Sequence, residues 1–369
     1  MAAIYFHIPF CKRICAYCDF HRFADLSAMN AVVAAMHDEL DESTDFLHDR
    51  VIKTIYFGGG TPSLLAPAEL QRFIDHVGRL YDTSEVEEIT VEANPDDITP
   101  QFVNELKQTA VNRISLGIQS FDERLLKLMN RRHTGEEARQ AVRMLQNAGY
   151  QNITVDLIFG FGDFGDEVVA EDLRRIAELE IQHVSAYHLT IEPTTRLGRM
   201  AAQGRFAAIP EERSEKQFRL IHNTLTEQGF EHYEVSNYAR AGFRSRHNSS
   251  YWTGTEYLGI GTGAHSFNSE SRRWCLQRPA EYLRGRAYES ETLTPRDHLN
   301  EMIMTSLRRA EGLDTQAVAR RFGRKAADRL LNEAQKLSGY GAVVENCHIR
   351  IPPEHMLTSD AVIEMLFET

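Results

Sequence analysis

Short apolar runs alternate with longer amphipathic segments over the first two-thirds of the chain. The short runs are rich in β-branched and aromatic residues, which favour strands, and they cover residues 3–8, 52–57, 88–92, 113–118, 153–159 and 183–189. The segment 67–81 is typical of the longer ones, because its apolar residues recur at helical spacing: Leu70, Phe73, Ile74, Val77 and Leu80. Another such segment, 136–148, is followed by Gly149, a residue type that commonly ends a helix. Strand and helix are therefore predicted to alternate about six times.

This alternation predicts an α/β protein whose parallel strands are joined by right-handed helical crossovers. Six strand–helix units fall short of the roughly eight that close a complete barrel. The pattern therefore favours a partial barrel that stays open on one side.

The rhythm changes after about residue 230. The segment 230–236 could form one more strand, and the basic segment 240–248 is predicted to be a loop. From residue 295 the pattern is helical, and it is followed by a strand-like pair at 342–344 and 349–351 and by a last helix. We therefore predict a barrel over 1–235, a connecting region over 236–292 and a small winged-helix-like domain over 293–369.

Composition and charge restrict the function classes. The 369 residues include 41 Lys and Arg against 53 Asp and Glu, a formal net charge of −12. No global basic field would attract nucleic acid, so we expect no nucleic-acid partner. The chain lacks both a signal-peptide pattern and a long apolar run, and its five cysteines do not resemble a disulfide framework. These features predict a cytoplasmic protein.

Three cysteines, Cys11, Cys15 and Cys18, follow the first predicted strand with the spacing C-x3-C-x2-C. Three thiolates on one short loop can ligate three irons of a [4Fe–4S] cubane and leave the fourth iron open to a chelating ligand. The alternative is a structural zinc site with His21 as its fourth ligand. The ends of parallel strands commonly carry functional sites, which favours the cluster.

Further polar or glycine-rich motifs follow the later strands. Gly59 and its neighbours Gly60 and Thr61 would let the backbone approach a ligand closely, although a plain turn explains them equally well in isolation. Arg131 offers a planar fork suited to a carboxylate. Asp156 interrupts an apolar strand, where an unpaired carboxylate would be costly. Glu92 and Gln119 lie at strand ends and are further binding candidates.

With these motifs the chain resembles the radical SAM superfamily, whose core is a (β/α)6 partial barrel. The resemblance implies a [4Fe–4S] cluster on the three cysteines and S-adenosylmethionine (SAM) on its open iron. It also implies a set of SAM-contacting residues: Tyr5, Tyr17, Gly59, Gly60, Thr61, Glu92, Gln119, Arg131 and Asp156.

The segment from Tyr5 to Cys11 resembles the oxygen-independent coproporphyrinogen III oxidase-like family, whose oxidases decarboxylate porphyrin propionates. Two departures count against that activity here. The oxidase carries a further cysteine where this chain has Phe20, and it has a long extension before the cysteines, where this chain has only ten residues. The oxidase activity is therefore kept as the alternative function.

The segment His247-Asn-Ser-Ser-Tyr-Trp252 fits the H-N-x-x-Y-W signature of the HemW-type haem chaperones. This resemblance implies haem binding at His247, since a neutral imidazole is a good axial ligand. A polar loop histidine packed beside aromatics is the alternative. The chaperone interpretation implies delivery of haem to acceptor haemoproteins, membrane-bound ones included, and peripheral contact with the membrane. A reductase, flavodoxin or ferredoxin would serve as electron donor.

Overall fold

The computed structural model describes residues 1–368. Its strands are β1 (Ala2–Ile8), β2 (Ile52–Gly59), β3 (Glu88–Ala93), β4 (Arg113–Gln119), β5 (Asn152–Phe159), β6 (His183–His188), β7 (Glu231–Glu234), β8 (Asn237–Ala239), β9 (Glu256–Ile260), β10 (His265–Phe267), β11 (Ser271–Trp274), β12 (Glu289–Thr292), β13 (Leu313–Asp314), β14 (Val343–Glu345) and β15 (His348–Arg350). Its α-helices are α1 (Met29–Glu42), α2 (Pro67–Leu80), α3 (Pro100–Leu106), α4 (Glu123–Leu128), α5 (Gly135–Asn147), α6 (Asp166–Ala177), α7 (Arg196–Ala202), α8 (Glu211–Glu227), α9 (Arg246–Trp252), α10 (Pro279–Tyr282), α11 (Pro295–Leu307), α12 (Thr315–Phe322), α13 (Arg324–Lys336) and α14 (Ser359–Leu366).

The first six strands are parallel neighbours in the order in which they occur along the chain. Helices cover them and complete an apolar core that includes Phe6, Phe57 and Val155, all fully buried. Strands buried in this way read as near-continuous apolar runs, which is why the sequence located them. The predicted α/β partial barrel of six strand–helix units is confirmed.

The later strands extend both edges of this sheet. Strand β9 pairs in parallel with β1 and leads through β10 and β11 to β12, while β8 and β7 continue from β6. The region 236–292, which we predicted to connect two domains, therefore adds strands to the sheet. The predicted strand 230–236 contains β7, which forms an antiparallel hairpin with β8.

The prediction of a loop over 240–248 is wrong at its end, because helix α9 begins at Arg246. The Ser245 hydroxyl accepts from the backbone N–H of Asn248 at 3.2 Å, as an N-cap residue does. The Glu88 carboxylate of β3 also accepts from the backbone N–H groups of Arg246 and His247, each at 2.9 Å. A carboxylate at a helix N-terminus stabilises it, and this one comes from a distant strand.

The C-terminal part has a hydrophobic core of its own. Helices α11 to α14 pack around a small sheet in the order β13-β15-β14, and Ile303, Leu330 and Ile349 are fully buried between them. Helices beside a small antiparallel sheet form the winged-helix-like unit that was predicted. Within residues 1–368, no helix combines the length and the apolar character needed to cross a membrane.

Candidate functional site

A cavity of about 410 Å³ opens where the parallel barrel strands end. Its wall brings together eleven of the residues proposed from the sequence: Cys11, Cys15, Tyr17, Cys18, Gly59, Gly60, Thr61, Glu92, Gln119, Arg131 and Asp156. The two remaining candidates, Tyr5 and His247, lie outside this wall. A single concave site with few convergent polar groups is typical of a cofactor site.

The cysteine loop is fixed to the barrel by backbone and side-chain hydrogen bonds. The Cys11 N–H donates to the carbonyl of Phe23, and the Ala16 N–H donates to that of Met129, each at 2.9 Å. The Asn130 side chain donates to the carbonyl of Ile14 at 2.8 Å. The three thiols are half-buried and form no disulfide with one another. The loop therefore presents three free thiols to the cavity on a rigid frame.

These thiols fit a cluster better than a single metal ion. Each thiolate of a cubane binds a different iron, so the sulfurs stand apart. Among residues 1–368 no three His, Cys, Asp or Glu side chains lie close enough to hold one ion. His21, the alternative zinc ligand, directs its Nε2 at the Gln277 carbonyl, 2.9 Å away. The zinc alternative therefore has no geometric support.

Two side chains, one a cation and one a hydroxyl, donate hydrogen bonds to the cysteine sulfurs. Arg131 donates from Nη1 to the Sγ of Cys15 at 3.2 Å, and Thr61 donates to the Sγ of Cys11 at 3.4 Å. Hydrogen bonds to sulfur and a nearby cation favour the thiolate that iron requires. Burial acts in the opposite direction and raises the pKa of the Cys11 thiol to about 11. A positively charged cluster iron would offset this cost.

The glycines after β2 form a close-packed edge of the cavity. A Cβ on Gly60 would lie 2.7 Å from the carbonyl oxygens of Ile8 and Phe10, and one on Gly59 would lie 2.7 Å from the His7 ring. Gly59 also has a φ of +104°, which other residues rarely adopt. Both positions therefore exclude any side chain, and the backbone itself forms this part of the cavity wall.

Two carboxylates also line this cavity. Glu92 accepts from the Tyr56 hydroxyl at 2.8 Å and from the Gly59 N–H at 3.1 Å, and Asp156 accepts from Ser115 at 3.3 Å. Burial raises the pKa of Glu92 to about 7 and that of Asp156 to about 6. Buried carboxylates whose charge is costly are suited to a cationic ligand, such as an ammonium or sulfonium group.

The structure adds residues that the sequence did not single out. Asn94 accepts from Arg131 Nη2 at 2.5 Å and donates to Thr61 at 3.3 Å, so it fixes both side chains. Tyr187 also lines the cavity. Of these two added residues, only Asn94 had a local signal, its place directly after β3. Gln119, which was proposed from the sequence, has a φ of +71° at an irregularity of the β4–β5 register, and such strain clusters at binding sites.

A second cavity, of about 870 Å³, adjoins the first, and Asp19, Phe20 and Arg22 line both. Its wall contains Tyr5 and Tyr251. Tyr5 donates a hydrogen bond to the Nδ1 of His7 at 3.1 Å. The structure therefore places the predicted SAM contact Tyr5 on the wall of the second cavity.

His247 is 1% exposed at the start of α9. Its Nδ1 lies 2.8 Å from the Thr54 hydroxyl and its Nε2 lies 2.8 Å from the Tyr251 hydroxyl. The ring stacks on Tyr56 at a centroid distance of 4.8 Å, and burial lowers its pKa to about 3. Neither ring nitrogen is free in this arrangement, and haem ligation by His247 stays a prediction.

Comparison with known families defines the class of protein. A model described as the radical SAM superfamily matches residues 5–176, and one described as the HemN C-terminal domain matches residues 293–354. The structure also resembles that of coproporphyrinogen III oxidase (HemN) from Escherichia coli with a TM-score of 0.83, at 20% identity and covering 99% of this chain and 90% of that one. The protein is a radical SAM protein, and this superfamily binds a [4Fe–4S] cluster and SAM.

Curated relatives narrow the family. The chain is 35% identical to heme chaperone HemW of Lactococcus lactis over 322 residues, which cover 86% of this chain and 84% of the relative. It is 30% identical to heme chaperone HemW of Bacillus subtilis, with 88% of each chain covered, and 35% identical to that of Escherichia coli K12, with 78% and 77% covered. The chain belongs to the HemW family.

Proposed function

We propose that this protein is a haem chaperone, which binds haem and passes it to acceptor haemoproteins. The observation that carries the proposal is the second cavity, because its 870 Å³ lies within the roughly 300–1,000 Å³ of cofactor sites. Its wall combines aromatic side chains with histidines, the groups that cover a porphyrin face and ligate its iron. The names of the relatives agree with this use.

The cluster cavity has a separate part in this proposal. Cys11, Cys15 and Cys18 would hold the cluster, and SAM would contact the glycine edge and the two carboxylates. When bound, the cluster supplies redox chemistry, with electrons from a reductase, flavodoxin or ferredoxin. The wall shared by the two cavities would let the state of the cluster influence the haem next to it.

His247 has a defined place in the proposed haem site. It holds the hydroxyl of Tyr251, and the Tyr251 side chain lines the second cavity. The H-N-x-x-Y-W motif would thus shape the wall through its tyrosine. Direct ligation by the histidine would require the hydrogen bond at the ligating ring nitrogen to break, either that to Thr54 or that to Tyr251.

The protein is proposed to act in the cytoplasm and to meet membrane-bound acceptors at the membrane surface. Its net charge of −12 does not favour nucleic acid. The resemblance to coproporphyrinogen III oxidase concerns the fold alone, at 20% identity. No specific contact favours decarboxylation, and Phe20, where the oxidase has a cysteine, counts against it.

The test is an anaerobic haem titration of cluster-reconstituted protein, followed by transfer to an apo-haemoprotein such as apomyoglobin. Saturable binding near one haem per chain, with transfer faster than from free haem, is the expected result. A parallel incubation with SAM, dithionite and coproporphyrinogen III tests the alternative. Turnover to protoporphyrinogen without specific haem binding would overturn the chaperone proposal.

A further inference from the structure

The second cavity contains three histidines, and they differ in what their rings contact. The Nδ1 of His7 accepts from Tyr5 and its Nε2 donates to the carbonyl of His21 at 2.8 Å. His21 is bonded through Nε2 to Gln277. His265, the first residue of β10, is exposed, and within residues 1–368 no hydrogen bond to its ring is found.

His265 is nonetheless held in a defined orientation. Its ring stacks on Trp274 of the paired strand β11, with centroids 5.7 Å apart and planes inclined by 19°. The two residues are direct partners in the β10–β11 register, so the strand pairing sets this contact. An imidazole oriented by packing with both nitrogens free is ready to bind a metal.

Other groups in the same wall fit the rest of a haem. Phe20 and Leu276 are 66% and 50% exposed, so both present apolar surface in the wall of this cavity. Tyr257 adds a further aromatic surface, and Arg278 is an exposed cation in the same wall, suited to a propionate. The wall therefore offers an apolar face, an iron ligand and a counter-charge.

We infer that haem occupies this second cavity with His265 as an axial ligand of its iron, while His247 remains a buried support of the wall. This inference rests on the proposed haem-binding function and assigns its ligand. Haem in this cavity would lie beside Asp19, Phe20 and Arg22, which line the cluster cavity as well. Coordination breaks no bond of the protein, since the His265 ring has none to lose.

The experiment uses the cluster-reconstituted full chain and four variants: His265→Ala, His265→Cys, His247→Ala and His355→Ala. His355 is an exposed histidine of the C-terminal part, and its replacement is the matched control. Haem affinity is measured by anaerobic titration. The axial ligand is identified from the ferrous–CO difference spectrum, in which cluster absorption cancels.

His265→Ala should weaken haem binding at least about tenfold, as loss of groups at metal sites does, and added imidazole should restore the wild-type spectrum. His265→Cys should give the red-shifted ferrous–CO band of thiolate ligation. His355→Ala should match the wild type. The Cys variant keeps the test informative even if the Ala variant folds poorly.

Two outcomes have different meanings. If wild-type protein binds haem with a histidine signature, but His265→Ala and His265→Cys bind it equally with unchanged spectra, the assignment of His265 is wrong and the chaperone function stands. If wild-type protein shows no saturable haem binding, the proposed function itself fails, whatever the variants do.

Discussion

Replacing His247 with alanine separates a structural role from a ligand role. The structure predicts that the variant is destabilised, because the imidazole is 1% exposed and joins Thr54 to Tyr251. Thr54 is 3% exposed, and its hydroxyl would lose this partner at a cost of about 1–3 kcal/mol. Loss of the aromatic contact with Tyr56 adds about 0.5–1.5 kcal/mol. Tyr251 faces the second cavity, where water can replace the lost bond.

The expected total is therefore a loss of about 1.5–4.5 kcal/mol in the free energy of unfolding, measured by urea titration at pH 7.5 with His355→Ala as control. Haem affinity should fall only to the extent that the Tyr251 side chain loses its fixed position in the wall of the second cavity. Thr54→Val removes one of the two hydrogen bonds without emptying the ring site and should cost about 1–2 kcal/mol.

The pH dependence gives an independent check. The pKa of His247 is about 3 in the folded protein and near its ordinary 6.5 in the unfolded chain, so below pH 6.5 the unfolded chain takes up a proton that the folded protein refuses. The stability that the neutral ring contributes is therefore present above pH 6.5 and decreases as the pH falls, by about 1.4 kcal/mol per pH unit. The wild type and His247→Ala should converge in stability toward pH 5.

One result would refute this reasoning. If His247→Ala unfolds at the same urea concentration as the wild type and still binds haem, but without the histidine signature, then His247 is itself the ligand. One of its ring nitrogens would then give up its hydrogen bond to bind iron, and the assignment of His265 would fail.

Three further outcomes test the cluster cavity. Cys15→Ala should abolish the brown colour and visible absorption of the reconstituted protein. Cys275→Ala, which replaces a buried thiol outside the cavity, should retain both. Colourless wild-type protein with bound zinc would contradict the proposed cluster. SAM affinity, measured by anaerobic equilibrium dialysis, should rise from pH 6 to pH 8. The reason is that Glu92, with a pKa of about 7, pairs with a cation only when it is deprotonated. If Glu92→Gln shows the same pH dependence, this carboxylate is not its cause. Gly60→Ala should lower stability by about 1–3 kcal/mol because its Cβ meets backbone oxygens at 2.7 Å, while Gly339→Ala, where nothing lies within 4 Å, should be nearly neutral in the same urea titration.

The parts of the fold that were predictable are those with a local signal. Each buried parallel strand is a compact apolar run, and several site residues, such as Glu92 and Asp156, lie in such a run, while the cysteines and Arg131 lie in the loops after β1 and α4. The family resemblance assigned residues as distant as Cys11 and Asp156 to one site, and the structure brings them together because parallel strands end at the same edge of a sheet. The sheet topology thus brings together residues that are far apart in the sequence.

The parts that were missed depend on contacts between distant segments. Helix α9 begins where Glu88 accepts hydrogen bonds from residues 158 and 159 positions away, and no pattern around residue 246 records that partner. The second cavity forms between the segment after β1 and the strands β9 to β11, which only the sheet pairing brings together. Its histidine His265 lies outside any motif that we identified.

His247 and His265 show why a motif alone does not identify a ligand. His247 lies in helix α9, enclosed with two hydrogen-bond partners, whereas His265 lies in β10 and is exposed, with no ring hydrogen bond among residues 1–368. Replacing a motif residue that shapes the wall and replacing a residue that binds iron can both abolish haem binding. A loss of haem binding therefore does not distinguish the two roles. The spectrum of the iron ligand does distinguish them. When a supporting residue is replaced, the haem complex that still forms keeps its imidazole signature, whereas His265→Cys should give the signature of a thiolate.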